Sequence, residues 1–191
     1  MGDLKVVIGV STRTGSAVII ALVGTRHRPA FAGRWDVRLI PPEVERAAYH
    51  AAADRTLAQA DELIMRTEQA AEAGGVAALQ AAEASLSAGQ VTVVAVVVKA
   101  VSVPASTAQV LKSHAWMHAA EGVLYREAML AAARRLGWTA HAVDSAGLTD
   151  VHQELTAIGR AAGRPWRRIE KDAAAAALAL LSPHGRDSST A

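Results

Sequence analysis

The chain has 191 residues, 51% of them apolar but only seven aromatic (Trp 4, Tyr 2, Phe 1), and a formal net charge of +2. That length suits one domain burying roughly 70% of its extended-chain surface, around a core built from Ala, Val, Leu and Ile. With no cysteine, disulfides, thiolate metal centres and a cysteine nucleophile are excluded, and so small a net charge gives no global pull towards nucleic acid, only whatever local clustering provides.

In chain order, residues 4–10 (LKVVIGV) and 17–23 (AVIIALV) are β-branched runs flanking the hydroxyl-rich turn Ser11–Ser16, the pattern of a hairpin. Both runs are almost wholly apolar, so the strands are expected to be covered on both faces. A third strand is expected over Arg34–Ile40, after a turn at Gly33. Pro41 and Pro42 stop it and open a helix, which is expected to run about 30 residues to Gly74–Gly75. A second helix follows over Val76–Ser87. Residues Val91–Val98 (VTVVAVVV) carry no charge and form the most β-prone run, as a central buried strand does. Ser106 or Thr107 is placed to cap a helix reaching Arg135, and Trp138–Val143 reads as a fifth strand. A turn over Asp144–Gly147 leads to a short helix, starting at Thr149 or Asp150 and ending near Ile158. A basic loop over Gly159–Pro165 precedes a last helix from Trp166 to Leu181. Residues 1–183 are thus expected to form a single domain, with a disordered tail over 184–191. No signal-peptide pattern is present and no apolar run approaches the ~20 residues of a bilayer span, so the expectation is a cytoplasmic protein, without a membrane partner, and by its Ala, Arg and Val usage a bacterial one.

The resulting class is α/β: a mixed five-stranded sheet, built as a β-meander followed by βαβα. Helices cover both faces, and a long helical segment follows the third strand.

Arg160, Arg164, Arg167, Arg168 and Lys171 lie close together with Trp166 among them. Guanidinium forks with an interleaved indole suit contact with a phosphate backbone and stacking on bases. Arg13, in the first turn, belongs with them, and Arg26, His27 and Arg28, in the second turn, are expected on the same side. His114, His118 and Glu121 share a helix face at i, i+4 and i+7, a spacing able to chelate a transition ion. No fourth ligand is identifiable, and boundary histidines are the commoner reading, so no metal site is assigned. No nucleophile stands beside a base in a triad pattern.

The element order, residues 8–15 (IGVSTRTG) and residues 170–180 (EKDAAAAALAL) together resemble the ribonuclease H-like superfamily, most closely the RuvC-type Holliday-junction resolvases. The first segment is similar to that family's first-strand pattern and the second to its last helix. The resemblance implies two Mg²⁺ ions held by three or four carboxylates, which clamp the attacking and leaving oxygens of a phosphate. In this chain Ser11 stands at the first-strand aspartate position, and Val98–Lys99 where the central strand should end in a carboxylate. Asp172 is the one position retained, with Glu170 beside it. The expectation is therefore a degenerate site with no catalytic residue, of which Ser11 and Asp172 are relics, and no cofactor. Such a domain would bind nucleic acid, or act as an interaction module that pairs with itself through the long helix. The alternative is a nuclease with displaced ligands drawn from Asp3, Asp36, Glu121, Asp144 and Asp172, and only that reading needs Mg²⁺. The Ser11–Ser16 turn also resembles the phosphate-holding turn of actin-like kinases, although those need two such domains and an acidic first strand.

Overall fold

The computed structural model describes residues 5–87, 89–144 and 151–181. Strands β1 (Lys5–Arg13), β2 (Ser16–Thr25) and β3 (Arg28–Arg38) form the antiparallel meander, and β4 (Gln90–Val98) and β5 (Thr139–Asp144) extend it in parallel, in the order β3-β2-β1-β4-β5. The near-continuous apolar character of β1 and β2 has a direct cause. Side chains alternate across a strand, and each alternate set has its own helical cover. Val6, Ile8, Val10, Ala17, Ile19 and Ala21 enter one core, under α2 (Leu57–Ala84) and α4 (His114–Arg135), while Val7, Val18, Ile20 and Leu22 enter the other, under α5 (His152–Ala162) and α6 (Arg168–Leu180).

The third strand starts at Arg28, six residues before the expected start. Gly33 is not the turn. It lies inside the strand, where an added Cβ would come 2.7 Å from Trp35 Cζ2, and the pairing skips Ala32 between Phe31 and Gly33. A glycine inside a strand pattern marks such a bulge as readily as a turn.

Two helix expectations are corrected. The segment after β3 is not one helix up to Gly74–Gly75. It is a short turn of helix, α1 (Ala48–Ala51), and then α2, which runs unbroken for 28 residues across both glycines. The break is made at Thr56, whose extended backbone and capping box with Gln59 start α2 afresh. Gly74 and Gly75 serve close packing instead of termination. An added Cβ on Gly74 would collide with the Leu39 backbone, and one on Gly75 would press on Ala132 and Met129 of α4. The helix expected from Ser106 to Arg135 is likewise divided, into α3 (Thr107–Val110) and α4, because Ser113 adopts an extended conformation (φ −141°, ψ 123°). Ser106 does cap α3, accepting from the Gln109 N–H at 3.3 Å. The turn expected over Asp144–Gly147, the helix start at Thr149 or Asp150, Pro183 and the 184–191 tail all include positions outside the described residues.

No helix among the described residues is long and apolar enough to cross a membrane.

Candidate functional site

The C-terminal ends of the parallel strands β1 and β4 converge with the first turns of α6, and in open α/β sheets such strand ends are where crevices form. A cleft of about 580 Å³ lies there, walled by Ser11, Thr12 and Arg13 from β1, Val97 from β4 and Lys99 just after it, Gly122 and Arg126 from α4, Arg167 at the cap of α6, and Arg168 and Asp172 from α6. Ser11 is nearly buried. Among the described residues the cleft wall carries five arginines and lysines (Arg13, Lys99, Arg126, Arg167, Arg168) and one carboxylate, Asp172.

These charges are not equally free. Arg126 donates from Nε to the Gly122 carbonyl (2.7 Å) and from Nη1 to the Lys99 carbonyl (3.1 Å), so it fastens the exit of β4 to α4. Burial holds its pKa below the ordinary arginine value. Asp172 faces Arg168 Nε at 3.7 Å. The side chains of Arg13 and Lys99 make no hydrogen bond or ion pair among the described residues. A pair of Mg²⁺ ions needs converging carboxylates; this corner instead presents a positive field, suited to an anion.

Arg167 is held by Glu170, which is 1% exposed. The carboxylate accepts the Arg167 backbone N–H at 2.7 Å and its guanidinium at 3.1 Å, capping α6 at its positive end. Burial by itself would raise the Glu170 pKa, but the Arg167 side-chain hydrogen bond, the backbone N–H groups and the guanidinium charge outweigh it, and the pKa lies below the usual value. A lowered folded-state pKa means that the stabilisation is whole above the unfolded value, near pH 4.5, and is lost as pH falls through the folded one. Glu68, whose pKa burial raises, works in the opposite sense. Melting scans of Glu170→Gln should therefore show a lower Tm than wild type at pH 7, with the gap narrowing as the pH is taken below about 4. A gap that stays constant with pH would contradict this role.

Beside the cleft, sharing Arg13 and His118 with it, is a second hollow at the junction of α1, α4 and the β1–β2 turn. His114 and His118 stand one turn apart on α4. His50, the last-turn residue of α1, completes a triangle with ring centroids 4.4–4.9 Å apart. Two contacts hold α1 in place. Tyr125, fully buried, donates its hydroxyl to the Arg46 carbonyl at 2.6 Å, and burial followed by the Glu121 and Glu45 charges raises its pKa. Glu121, buried, accepts from the His50 backbone N–H (3.3 Å) and faces His50 Nδ1 at 2.8 Å. His50 Nε2 is buried with no hydrogen-bond partner among the described residues, an arrangement that costs about 1–3 kcal/mol if nothing satisfies it.

By sequence, no protein-family model and no curated protein matches the chain. Solved structures do. The RuvC of T. thermophilus in complex with a Holliday-junction substrate aligns over 91% of this chain and 90% of that one, at 16% identity and a TM-score of 0.52. A second Thermus thermophilus RuvC structure aligns over 91% of each chain, at 16% identity and a TM-score of 0.50. This is a ribonuclease H-like fold of the RuvC type.

Ser11 lies near the end of β1, Val98 ends β4 with Lys99 just beyond it, and Asp172 lies in the second turn of α6. Of the acids considered as displaced ligands, Asp172 is the one that lines the cleft among the described residues. Asp36 lines a separate hollow with Arg38 and Glu45, Glu121 turns to His50, Asp144 ends the edge strand β5, and Asp3 lies outside the described residues. The basic run divides around the start of α6. Arg167 and Arg168 face the cleft, whereas Arg160, Trp166 and Lys171 line a smaller hollow of about 300 Å³ on the flank. The Trp166 indole packs into the α5–α6 core layer, and an added Cβ on Gly159 would come 2.6 Å from its Nε1. Arg164 is exposed, with its carbonyl held by Arg34 at 3.1 Å. Arg26, His27 and Arg28 are at the opposite end of the sheet, because β2 runs antiparallel to β1 and its far end lies beside the start of β1. They do not extend the basic surface. Lys99 and Arg126 join the cleft from the β4 exit and α4, contributions invisible to a search for clustered charge along the chain.

Proposed function

We propose that this chain is a nucleic-acid-binding protein of RuvC fold, which grips phosphate in its cleft and does not cut it with a pair of Mg²⁺ ions. The observation that carries the reading is the composition of the cleft: among the described residues, five cationic side chains and one carboxylate, at the strand ends where the resemblance implies a carboxylate cluster. Its structural likeness to a RuvC solved with a Holliday-junction substrate supports nucleic acid as the partner class.

The test is binding of a labelled four-way junction, a duplex and a single strand at several salt concentrations, with and without Mg²⁺ or Mn²⁺. The affinity should fall linearly with log salt, by a slope of about −0.9 for each phosphate contacted on duplex, and no cleavage should accompany it. Undetectable binding to all three, or a salt-independent affinity, would remove the nucleic-acid reading. Metal-dependent cleavage abolished by Asp172→Ala would establish the nuclease alternative in its place. Self-association through α2 is a second reading, favoured by Leu57 and Met65, each about half exposed on that helix. A sedimentation coefficient that stays monomeric at high concentration excludes it.

A further inference from the structure

We propose that His50, His114 and His118 bind one divalent transition-metal ion of the Zn²⁺ class, with Glu121 as the buried carboxylate that orients His50. Among the described residues these three are the only group of histidines and acids whose ligand atoms converge, all within 4.8 Å of one another. In a tetrahedral zinc site the ligand nitrogens are about 3.3 Å apart, from Zn–N bonds of about 2.0–2.1 Å. Small rotations of the exposed His114 and His118 rings close the difference. His50 is the fixed member. Glu121 faces its Nδ1 at 2.8 Å, so the neutral ring carries its proton on that nitrogen and its lone pair on Nε2, the buried atom without a partner among the described residues. A carboxylate on the far nitrogen of a ligating imidazole is the usual support for such a site, fixing the tautomer and raising ligand basicity. Three imidazoles select Zn²⁺, Cu²⁺, Ni²⁺ or Co²⁺ over Mg²⁺ and Ca²⁺, which prefer oxygen. They also leave a coordination position open, and Arg13, Ser16 and Arg46 line the same hollow.

The experiment uses the untagged full chain stripped by chelator, titrated with Co²⁺ and followed by visible absorption, with no nucleic acid present. One equivalent should saturate, giving the intense bands of low coordination number, and Zn²⁺ but not Mg²⁺ should displace it. His114→Ala and His118→Ala, both at exposed positions, should keep the wild-type Tm and abolish saturable binding. Glu121→Gln should weaken binding by about 10- to 100-fold. Zn²⁺ should raise the Tm of the wild type and not of the histidine variants. No saturable Co²⁺ binding by the wild type, or unchanged affinity in the His114→Ala/His118→Ala double variant, would overturn the proposal. Because nucleic acid is absent from every arm, the outcome is independent of the cleft reading.

Discussion

Gly9→Ala should cost the fold about 3–5 kcal/mol and lower the Tm by about 10 °C, one of the largest effects open to a single methyl group. Gly9 lies in the middle of β1 on the face covered by α6, and the helix backbone rests directly on it. An added Cβ would collide with the Ala173 carbonyl oxygen and come within 2.9 Å of Ala177 N. Both contacts are backbone, so no rotamer change relieves them. The whole helix would have to lift, and it cannot do so cheaply, because Ala173–Leu178 are all buried. The alanine run of α6 and the glycine of β1 are thus two halves of one device, a helix brought down onto a strand by removing side chains from both. Gly122→Ala is the control. Gly122 is a mid-helix glycine of α4 whose added Cβ would meet only Arg126 Nη2 at 3.5 Å, and the substitution should stabilise by about 0.5–1 kcal/mol. Thermal melts of the two variants should move in opposite directions. A Gly9→Ala protein that melts with the wild type would mean that α6 does not sit where it is described.

Strands were legible in this chain because their signal is local and redundant. Val91–Val98 and the two runs around Ser11–Ser16 each carry the β pattern in full, and β1 and β2 pair through an immediate turn. The glycines were misleading for a physical reason. A glycine means that the backbone must turn, or that something must come close, and the sequence does not distinguish the two. Gly33, Gly74 and Gly75 are all close approaches, so the turn expected at the first and the helix end expected at the others are absent. Breaks made by a single extended residue, Thr56 or Ser113, leave no apolar discontinuity to detect.

The histidine cluster shows the same limit at the level of a site. His114 and His118 are related by helical periodicity and could be paired on paper. Their third neighbour could not. His50 belongs to a separate short helix, brought to α4 by the Tyr125–Arg46 and Glu121–His50 contacts, and nothing in its own neighbourhood marks it. With one continuous helix assumed through residues 41–75, His50 would have lain on an exposed face. Glu121 was then the natural third ligand by spacing, whereas its burial and its bond to His50 make it the group behind the cluster. Likewise the basic run in sequence is only partly the basic surface in space, since Trp166 is occupied by packing while Lys99 and Arg126 arrive from elsewhere.

The triple variant Arg13→Ala/Lys99→Ala/Arg168→Ala should bind duplex or junction DNA roughly 100-fold more weakly at 0.15 M salt, with the log–log salt slope reduced by about 2–3. These three are chosen because the fold does not use their charge. Arg13 and Lys99 are unpaired among the described residues, and the exposed Arg168 side chain faces only Asp172. Arg126 and Arg167 are left alone, since one ties β4 to α4 and the other is held by Glu170. The triple variant should accordingly melt with the wild type, so that weaker binding reports on charge and not on unfolding. Asp172→Asn provides the opposite arm. In a phosphate-gripping cleft Asp172 only repels the ligand and competes for Arg168, so its neutralisation should tighten binding at every salt concentration. In a metal-dependent nuclease the same carboxylate would hold an ion that bridges to phosphate, and its neutralisation would weaken binding in the presence of Mg²⁺. The sign of that one change separates a surface that grips nucleic acid by its own charge from one that reaches it through a metal.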